Sequence, residues 1–338
     1  MTAKSPLCYS CLHNPAVTYR RSDGRYLCKG CYSNWIIDTV KKTISQKKLF
    51  GRNDRIIVGL SGGKDSSVLL DILHKIEHRF PSELIAVCID EGIDGYRDDG
   101  LPIAEMTAKR LGVEFHLFSF KDLIGYTLDE IVQRSRDLQE KLPSTRQTKL
   151  VHHGPCSFCG VFRRKALNIA ARKLNGDKVA TGHNLNDVNQ TVLLNLLRGD
   201  SFKFLKGDLQ PVKIHDFFIP RVKPLQAVAE RDVVLYAFYN EIEYHTTECP
   251  YAIEAMRLDV RNFLIEIEDK YPGTLNCINN SMDTVRKECL DSISGIDTNK
   301  TNDSAKLLLC KKCSEPSSSK ICKGCQMLET LFRKYDFA

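Results

Sequence analysis

At 338 residues and 42% hydrophobic composition, the chain has room for one sizeable domain with appendages and enough apolar residues for a real core. No apolar run approaches the roughly 18 residues of a membrane span, and the start MTAKSPLCYSC lacks the apolar core of a secretory leader, so a cytoplasmic protein without membrane contact is expected. The formal charge of +7 says little about a nucleic-acid partner, because the chain has fourteen cysteines and metal-bound thiolates would change it. Ten of those cysteines form five Cys-x-x-Cys pairs, a usage that favours metal over disulfides in an intracellular chain. Each four-thiolate zinc site carries a net −2, so two of them would bring +7 to +3.

In chain order, the first element reads as a zinc ribbon. Cys8-x₂-Cys11 and Cys28-x₂-Cys31 are sixteen residues apart, with HNPA and SDGR turn signals between them, the spacing of two knuckles joined by a short hairpin. So short a segment cannot bury a core of its own, which makes its zinc structural, while Arg20, Arg21, Arg25 and Lys29 would let it touch nucleic acid. The stretch from Trp35 to Phe50 reads as a linking helix, apolar at Trp35, Ile36, Val40 and Ile44 and basic at other positions.

Arg55 to Leu73, RIIVGLSGGKDSSVLLDIL, reads as a buried strand, a glycine turn and a helix beginning near Ser66. The turn, Ser61, Gly62, Gly63, Lys64, Asp65 and Ser66, makes an anion site: paired glycines let backbone N–H groups converge, the helix start adds unpaired N–H groups, and Lys64 adds charge. The spacing is not that of the ordinary P-loop, which needs four residues between its glycines and a GK[ST] end. SGGKDS instead resembles the PP-loop of the N-type ATP pyrophosphatases, and that resemblance implies ATP with Mg²⁺.

From Asp54 onward strands and helices alternate, with strands over 84–90, 114–118 and 178–181. The expected fold is α/β, with right-handed crossovers and a parallel sheet covered on both faces. Ligands gather at the carboxyl ends of such strands, which puts Ser61–Ser66, the strand end Cys88, Ile89, Asp90, Glu91 and Gly92, and Thr181, Gly182, His183 and Asn184 around one crevice. Asp187 follows in the first turn of a helix over 188–197, placed either to cap that helix or to meet Mg²⁺ or substrate.

A third pair, Cys156 and Cys159, opens a helix that continues into Arg163, Arg164 and Lys165. Two cysteines cannot complete a tetrahedral site, so this pair needs other ligands or a redox role, and its thiols are expected to have lowered pKa values beside those cations. Ile219–Leu225 reads as an extended piece broken by prolines, and 229–240, 252–271 and 274–290 read as helices. Cys249 stands alone in a loop before Pro250, while Cys88, Cys277 and Cys289 read as small core residues. Residues 292–305 form a polar linker to a second four-cysteine site, Cys310, Cys313, Cys322 and Cys325, with lysines around it that suit structural zinc and nucleic-acid contact.

Taken together, these motifs resemble the tRNA 2-thiolation enzymes of the TtuA/Ncs6 group over nearly the whole chain. The resemblance implies limits of 1–34 and 307–338 for the two zinc ribbons, 35–53 for a linker helix, 54–291 for a PP-loop ATP pyrophosphatase domain and 292–306 for a linker. It implies ATP-dependent replacement of a tRNA uridine C2 oxygen by sulfur, at wobble uridine 34 of tRNAs for Lys, Glu and Gln. The alternatives are another tRNA position or a catalytically inactive zinc-ribbon RNA-binding protein. Cys156, Cys159 and Cys249 match the three cysteines of a [4Fe–4S] cluster, with persulfide chemistry on the same residues as the competing mechanism, and Asp187 matches the essential acidic position. Where some relatives place a catalytic lysine this chain has Arg163, which stays charged and cannot exchange protons near neutral pH. Further implied are two Zn²⁺, a thiocarboxylated ubiquitin-like sulfur carrier, an Ncs2-type subunit in eukaryotes, and a homodimeric or heterodimeric state.

Overall fold

The computed structural model describes residues 6–21, 23–78, 80–141, 154–206, 217–251, 256–294 and 308–332. The polar linker expected over 292–305 and part of the 252–271 helix lie largely outside them. At the N-terminus, β1 (Thr18–Arg20) and β2 (Arg25–Leu27) pair antiparallel between the two cysteine knuckles, with Tyr19 opposite Tyr26. The second knuckle runs straight into α1 (Lys29–Gln46), because Cys28 is its N-cap and accepts the Cys31 amide on its sulfur at 3.5 Å. The helix thus begins six residues before Trp35 and stops short of Phe50. Lys48 turns to φ 48° and the Leu49 amide reaches back to the Ile44 carbonyl at 3.0 Å, a Schellman closure.

The central unit follows as β3 (Arg55–Gly59), α2 (Lys64–Glu77), β4 (Glu83–Asp90), α3 (Gly100–Arg110), β5 (Glu114–Ser119), α4 (Phe120–Ile124), α5 (Leu128–Lys141), α6 (Pro155–Lys173) and β6 (Lys178–Ala180). After it come α7 (Leu185–Leu197), α8 (Ser201–Lys206), β7 (Arg221–Val222), α9 (Glu230–Tyr239), α10 (Arg257–Lys270) and α11 (Thr274–Ser294). Five strands make one parallel sheet in the order β5-β4-β3-β6-β7. The IPRVKPL stretch supplies the last of them, two residues long. Its prolines lack the N–H a central strand would need, so it takes the edge, where Pro220 still accepts the Val179 amide at 2.9 Å.

Each face of the sheet has its own core. On one face Ile56, Val58, Val68, Leu69 and Ile72 pack with Ile36 and Val40 of α1 and Tyr236 of α9. Opposite, Ile57, Ile85 and Val87 meet Phe158, Phe162 and Ala166 of α6 and Ile131 and Leu138 of α5. Cys88 is buried as expected, but Cys277 is exposed and Cys289 only half-buried: the α11 side chains that turn inward are Leu275 and Met282. At the C-terminus the hairpin β8 (Leu308–Leu309) with β9 (Pro316–Ser317) and the helix α12 (Lys323–Phe332) carry the last four cysteines, and α12 docks Met327 and Leu331 into the α5–α6 core. No helix among the described residues is long and apolar enough to cross a membrane.

Candidate active site

β4 and β5 leave β3 on one side while β6 and β7 leave it on the other, so the loops after β3 and β6 diverge and open a crevice between them. The loop after β3 is held by its own hydroxyls. Ser66 Oγ accepts the Ser61 amide at 3.1 Å and donates to the Gly63 carbonyl at 2.9 Å, and Ser61 Oγ accepts the Gly63 amide at 3.4 Å. α2 starts at Lys64, two residues earlier than expected, and its N-cap Gly63 offers no side-chain oxygen, which leaves the first helical amides open to an anion. Gly62 is required twice over: its φ is +80°, and a Cβ there would lie 2.2 Å from the Gly100 carbonyl oxygen.

Around this loop Lys64 Nζ sits 3.0 Å from Asp65 and 2.9 Å from Glu230. Asn184 donates to the other Asp65 oxygen at 2.9 Å, and Gly182 lies so close that a Cβ would be 2.8 Å from the Asp65 backbone. Asp187 and Asn184 form a reciprocal capping box at the start of α7. Burial pushes the carboxyls of Asp65 and Asp187 above the ordinary range, only partly offset by Lys64 and, for Asp187, by the Asn184 amide. Burial works against the Lys64 charge too, yet Asp65 and Glu230 outweigh it and hold the ammonium firmly charged. Elsewhere on the rim Asp90 accepts the Gly92 amide at 2.8 Å, and exposed His183 faces Thr181 Oγ1 at 2.8 Å.

The cysteine pair opens α6 beside this crevice. Cys156 is exposed and donates to the Tyr251 carbonyl at 3.3 Å, two residues beyond Cys249, while Cys159 and Cys249 are half-buried against the same core. The reactive, lowered thiol pKa expected for this pair does not hold at Cys159, where burial outweighs the neighbouring Arg163 and pushes the thiol up. Nor do all three expected cations face the pair, since Lys165 donates to Cys325 of the C-terminal site at 3.7 Å. Arg163 does face it: its Nη2 donates to Cys159 Sγ at 3.2 Å while its Nε lies 2.8 Å from Glu91.

Two groups of four thiols each bring all their sulfurs within 4.8 Å of one another: Cys8, Cys11, Cys28 and Cys31, and Cys310, Cys313, Cys322 and Cys325. That is the donor set of a tetrahedral structural zinc. Cys156, Cys159 and Cys249 form no such tight group among the described residues. Three thiols on two segments are one donor short of a closed tetrahedral site and match the number that holds a polynuclear cluster at three corners. Asn184 and Glu91 lie at the crevice as the strand-end rule expects, though nothing in the sequence named their partners, whereas Glu230 and Arg97 are site residues that sequence reasoning missed.

The comparisons with known proteins agree with this geometry. Residues 36–142 match the family model described as a PP-loop domain. Curated relatives named cytoplasmic tRNA 2-thiolation protein 1 include one from Caenorhabditis elegans, 36% identical over 94% of this chain and 79% of its own length. Another, from Saccharomyces cerevisiae, is 35% identical over 97% of this chain and 87% of its own. A solved structure, the U34-tRNA thiolase NcsA from Methanococcus maripaludis with its [4Fe-4S] cluster, superposes with a TM-score of 0.76 at 30% identity, covering 98% of this chain and 97% of that one.

Proposed function

The chain belongs to the family of cytoplasmic tRNA 2-thiolation protein 1, and from that premise we propose that it is an ATP-dependent tRNA sulfurtransferase acting in the cytoplasm on wobble uridine 34 of tRNAs for Lys, Glu and Gln. The observation that carries this reading is the line of contacts joining a charged phosphate loop to the cysteine pair at one sheet edge: Lys64 and Asp65 open α2 directly after that loop, and Arg163 reaches from Cys159 to the residue after β4.

A carbonyl oxygen is a poor leaving group, so the first task is to convert it into one. The uridine C2 oxygen attacks the α-phosphorus of ATP and pyrophosphate departs. The open amides of Ser61–Ser66 and the Lys64 ammonium hold the departing charge, and Asp65 and Asp187, with Glu230 beside them, would hold Mg²⁺, which would supply further positive charge to the phosphates. Gly182 and His183 line the nucleotide's rim, and Asp90 shapes the loop next to it. Sulfur then attacks C2, and AMP leaves with the oxygen. Cys156, Cys159 and Cys249 would hold a [4Fe–4S] cluster, which when bound supplies an iron free to take the incoming sulfide. Arg163 remains cationic, because Glu91 more than offsets its burial, and it acts by charge alone.

Two Zn²⁺ in the ribbons at 1–34 and 307–338, a PP-loop unit over 54–291, a thiocarboxylated ubiquitin-like sulfur carrier and an Ncs2-type partner complete the proposal. The test is to incubate anaerobically purified protein with ATP, Mg²⁺, sulfide and unmodified tRNA, then measure pyrophosphate and nucleoside composition. Pyrophosphate release that depends on tRNA, together with 2-thiouridine at position 34, is expected. A protein that binds the tRNA and releases no pyrophosphate would instead be an inactive RNA-binding relative.

A further inference from the structure

Glu91 is the most deeply buried charge at the crevice, fully shielded from solvent at the end of β4. Its position is fixed from both sides: its carbonyl accepts the Leu128 amide at 2.7 Å, and the next residue, Gly92, has φ +65° with Thr127 so close that a Cβ would lie 2.7 Å from it. The carboxylate serves two arginines. Arg97, itself 4% exposed, donates its Nε to one oxygen at 2.5 Å and its Nη1 to the Ser61 carbonyl at 3.0 Å. Arg163 meets the other oxygen and continues to Cys159.

A buried carboxylate needs only one partner to be neutral, and an ion pair of this depth contributes little net stability. The second arginine leaves the trio with a surplus positive charge, and the guanidinium aimed at the sulfur is its outer end. The contacts form an unbroken path from the phosphate loop at Ser61 through Arg97, Glu91 and Arg163 to Cys159. A parallel contact runs from the Cys249 segment, where the His245 amide donates to the Gly62 carbonyl at 3.0 Å and its ring lies edge-on to Tyr96.

We propose that Glu91 is a positioning residue that couples nucleotide binding at Ser61–Ser66 to the placement of Arg163 against Cys159, so that filling the phosphate loop steadies the sulfur-handling side of the crevice. When phosphates draw on the loop amides, Ser61 is held in place, Arg97 with it, and the shared carboxylate passes that constraint to Arg163. The proposal rests on the reading of the phosphate loop as the ATP site and needs no assumption about what the cysteines hold.

Hydrogen exchange of the full-length, anaerobically purified chain tests it, with and without a non-hydrolysable ATP analogue and Mg²⁺. In the wild type the analogue is expected to slow exchange at 61–67 and also at 156–163, each roughly threefold or more. Glu91→Gln and Arg97→Lys should keep the slowing at 61–67 and lose it at 156–163, and should lower kcat for thiolation while leaving the KM for ATP unchanged. Arg97→Lys preserves the buried charge balance and so carries the test if Glu91→Gln does not fold, which zinc content and a melting curve will show. Retention of the protection at 156–163 in a folded variant overturns the coupling, as does its absence in the wild type while 61–67 is protected. No protection at 61–67 in the wild type would strike the nucleotide-site reading itself, and the coupling with it.

Discussion

Lys64 combines the two demands placed on a phosphate-binding lysine: it stays charged although half-buried, and it is held by Asp65 and Glu230 at the start of α2. Removing one such charge from a water-poor site costs about 3 kcal/mol of transition-state stabilisation, so Lys64→Ala should slow tRNA-dependent pyrophosphate release roughly a hundredfold. Asp65 and Asp187 give a pH prediction. Burial holds their folded pKa values above those of exposed aspartates, so protons compete with Mg²⁺ at a higher pH than they would at exposed carboxylates, and the Mg²⁺ concentration for half-maximal activity should rise as pH falls from neutral toward the carboxylate range. A flat Mg²⁺ requirement across that range would count against both carboxylates. Cys249→Ala should abolish thiolation and the roughly 400 nm absorption of a cluster while ATP binding persists; a variant that keeps both the absorption and the thiolation would remove Cys249 from the site. Lys64 and Asp65 were legible in the sequence because a glycine turn between strand and helix leaves few alternatives. Glu230 was not: it opens a helix after β7, and the rule that sites gather at strand ends points there only once IPRVKPL is recognised as a strand.

At the scale of elements the two ribbons differ in a way that cysteine spacing cannot reveal. The N-terminal ribbon shares its core with the sheet, since Cys8, Leu27, Cys28 and Tyr32 pack in the same cluster as Ile56 and Val68, and Tyr32 donates to Asp232 of α9. Its C-terminal counterpart keeps its sulfurs in a small separate cluster: Met327 and Leu331 of α12 enter the α5–α6 core, while the knuckles themselves are joined to α6 through Glu315, which accepts from Asn168 at 2.8 Å and pairs with Arg172. Metal analysis should give two zinc per chain. Cys28→Ser is expected to lower the melting temperature of the whole chain by roughly 5 °C or more, because the cap of α1 and part of the main core go with it. Cys322→Ser should instead loosen α12 and leave the main transition in place. A main transition unmoved by Cys28→Ser would mean that the shared packing contributes little. The earlier onset of α1 follows from the same chemistry: a cysteine sulfur caps it, a signal absent from propensity rules built on Ser, Thr, Asp and Asn.

For the molecule as a whole, the alternation of strands and helices was enough to read a parallel sheet and the crevice at its carboxyl edge, because βαβ handedness and the reversal of strand order leave few other arrangements. The return of the Cys249 segment to Cys156 was expected from the resemblance, but other contacts made over long sequence separations were not legible: the Glu91 bridge, and the reach of Lys165 to Cys325, 160 residues away. That last contact makes α6 common to two metal-type sites, with the pair Cys156 and Cys159 at its start and a ribbon against its flank at Lys165, Asn168 and Arg172. Nine residues of helix, about 14 Å of rise, separate the two attachments, and a helix transmits a shift along its axis with little loss. Substitutions that alter the seat of the C-terminal ribbon should therefore be tolerated over evolutionary time only alongside compensating changes near the cysteine pair. Across relatives, positions 162–172 and 313–325 should drift together, as two bearings on one shaft must be machined to a common tolerance.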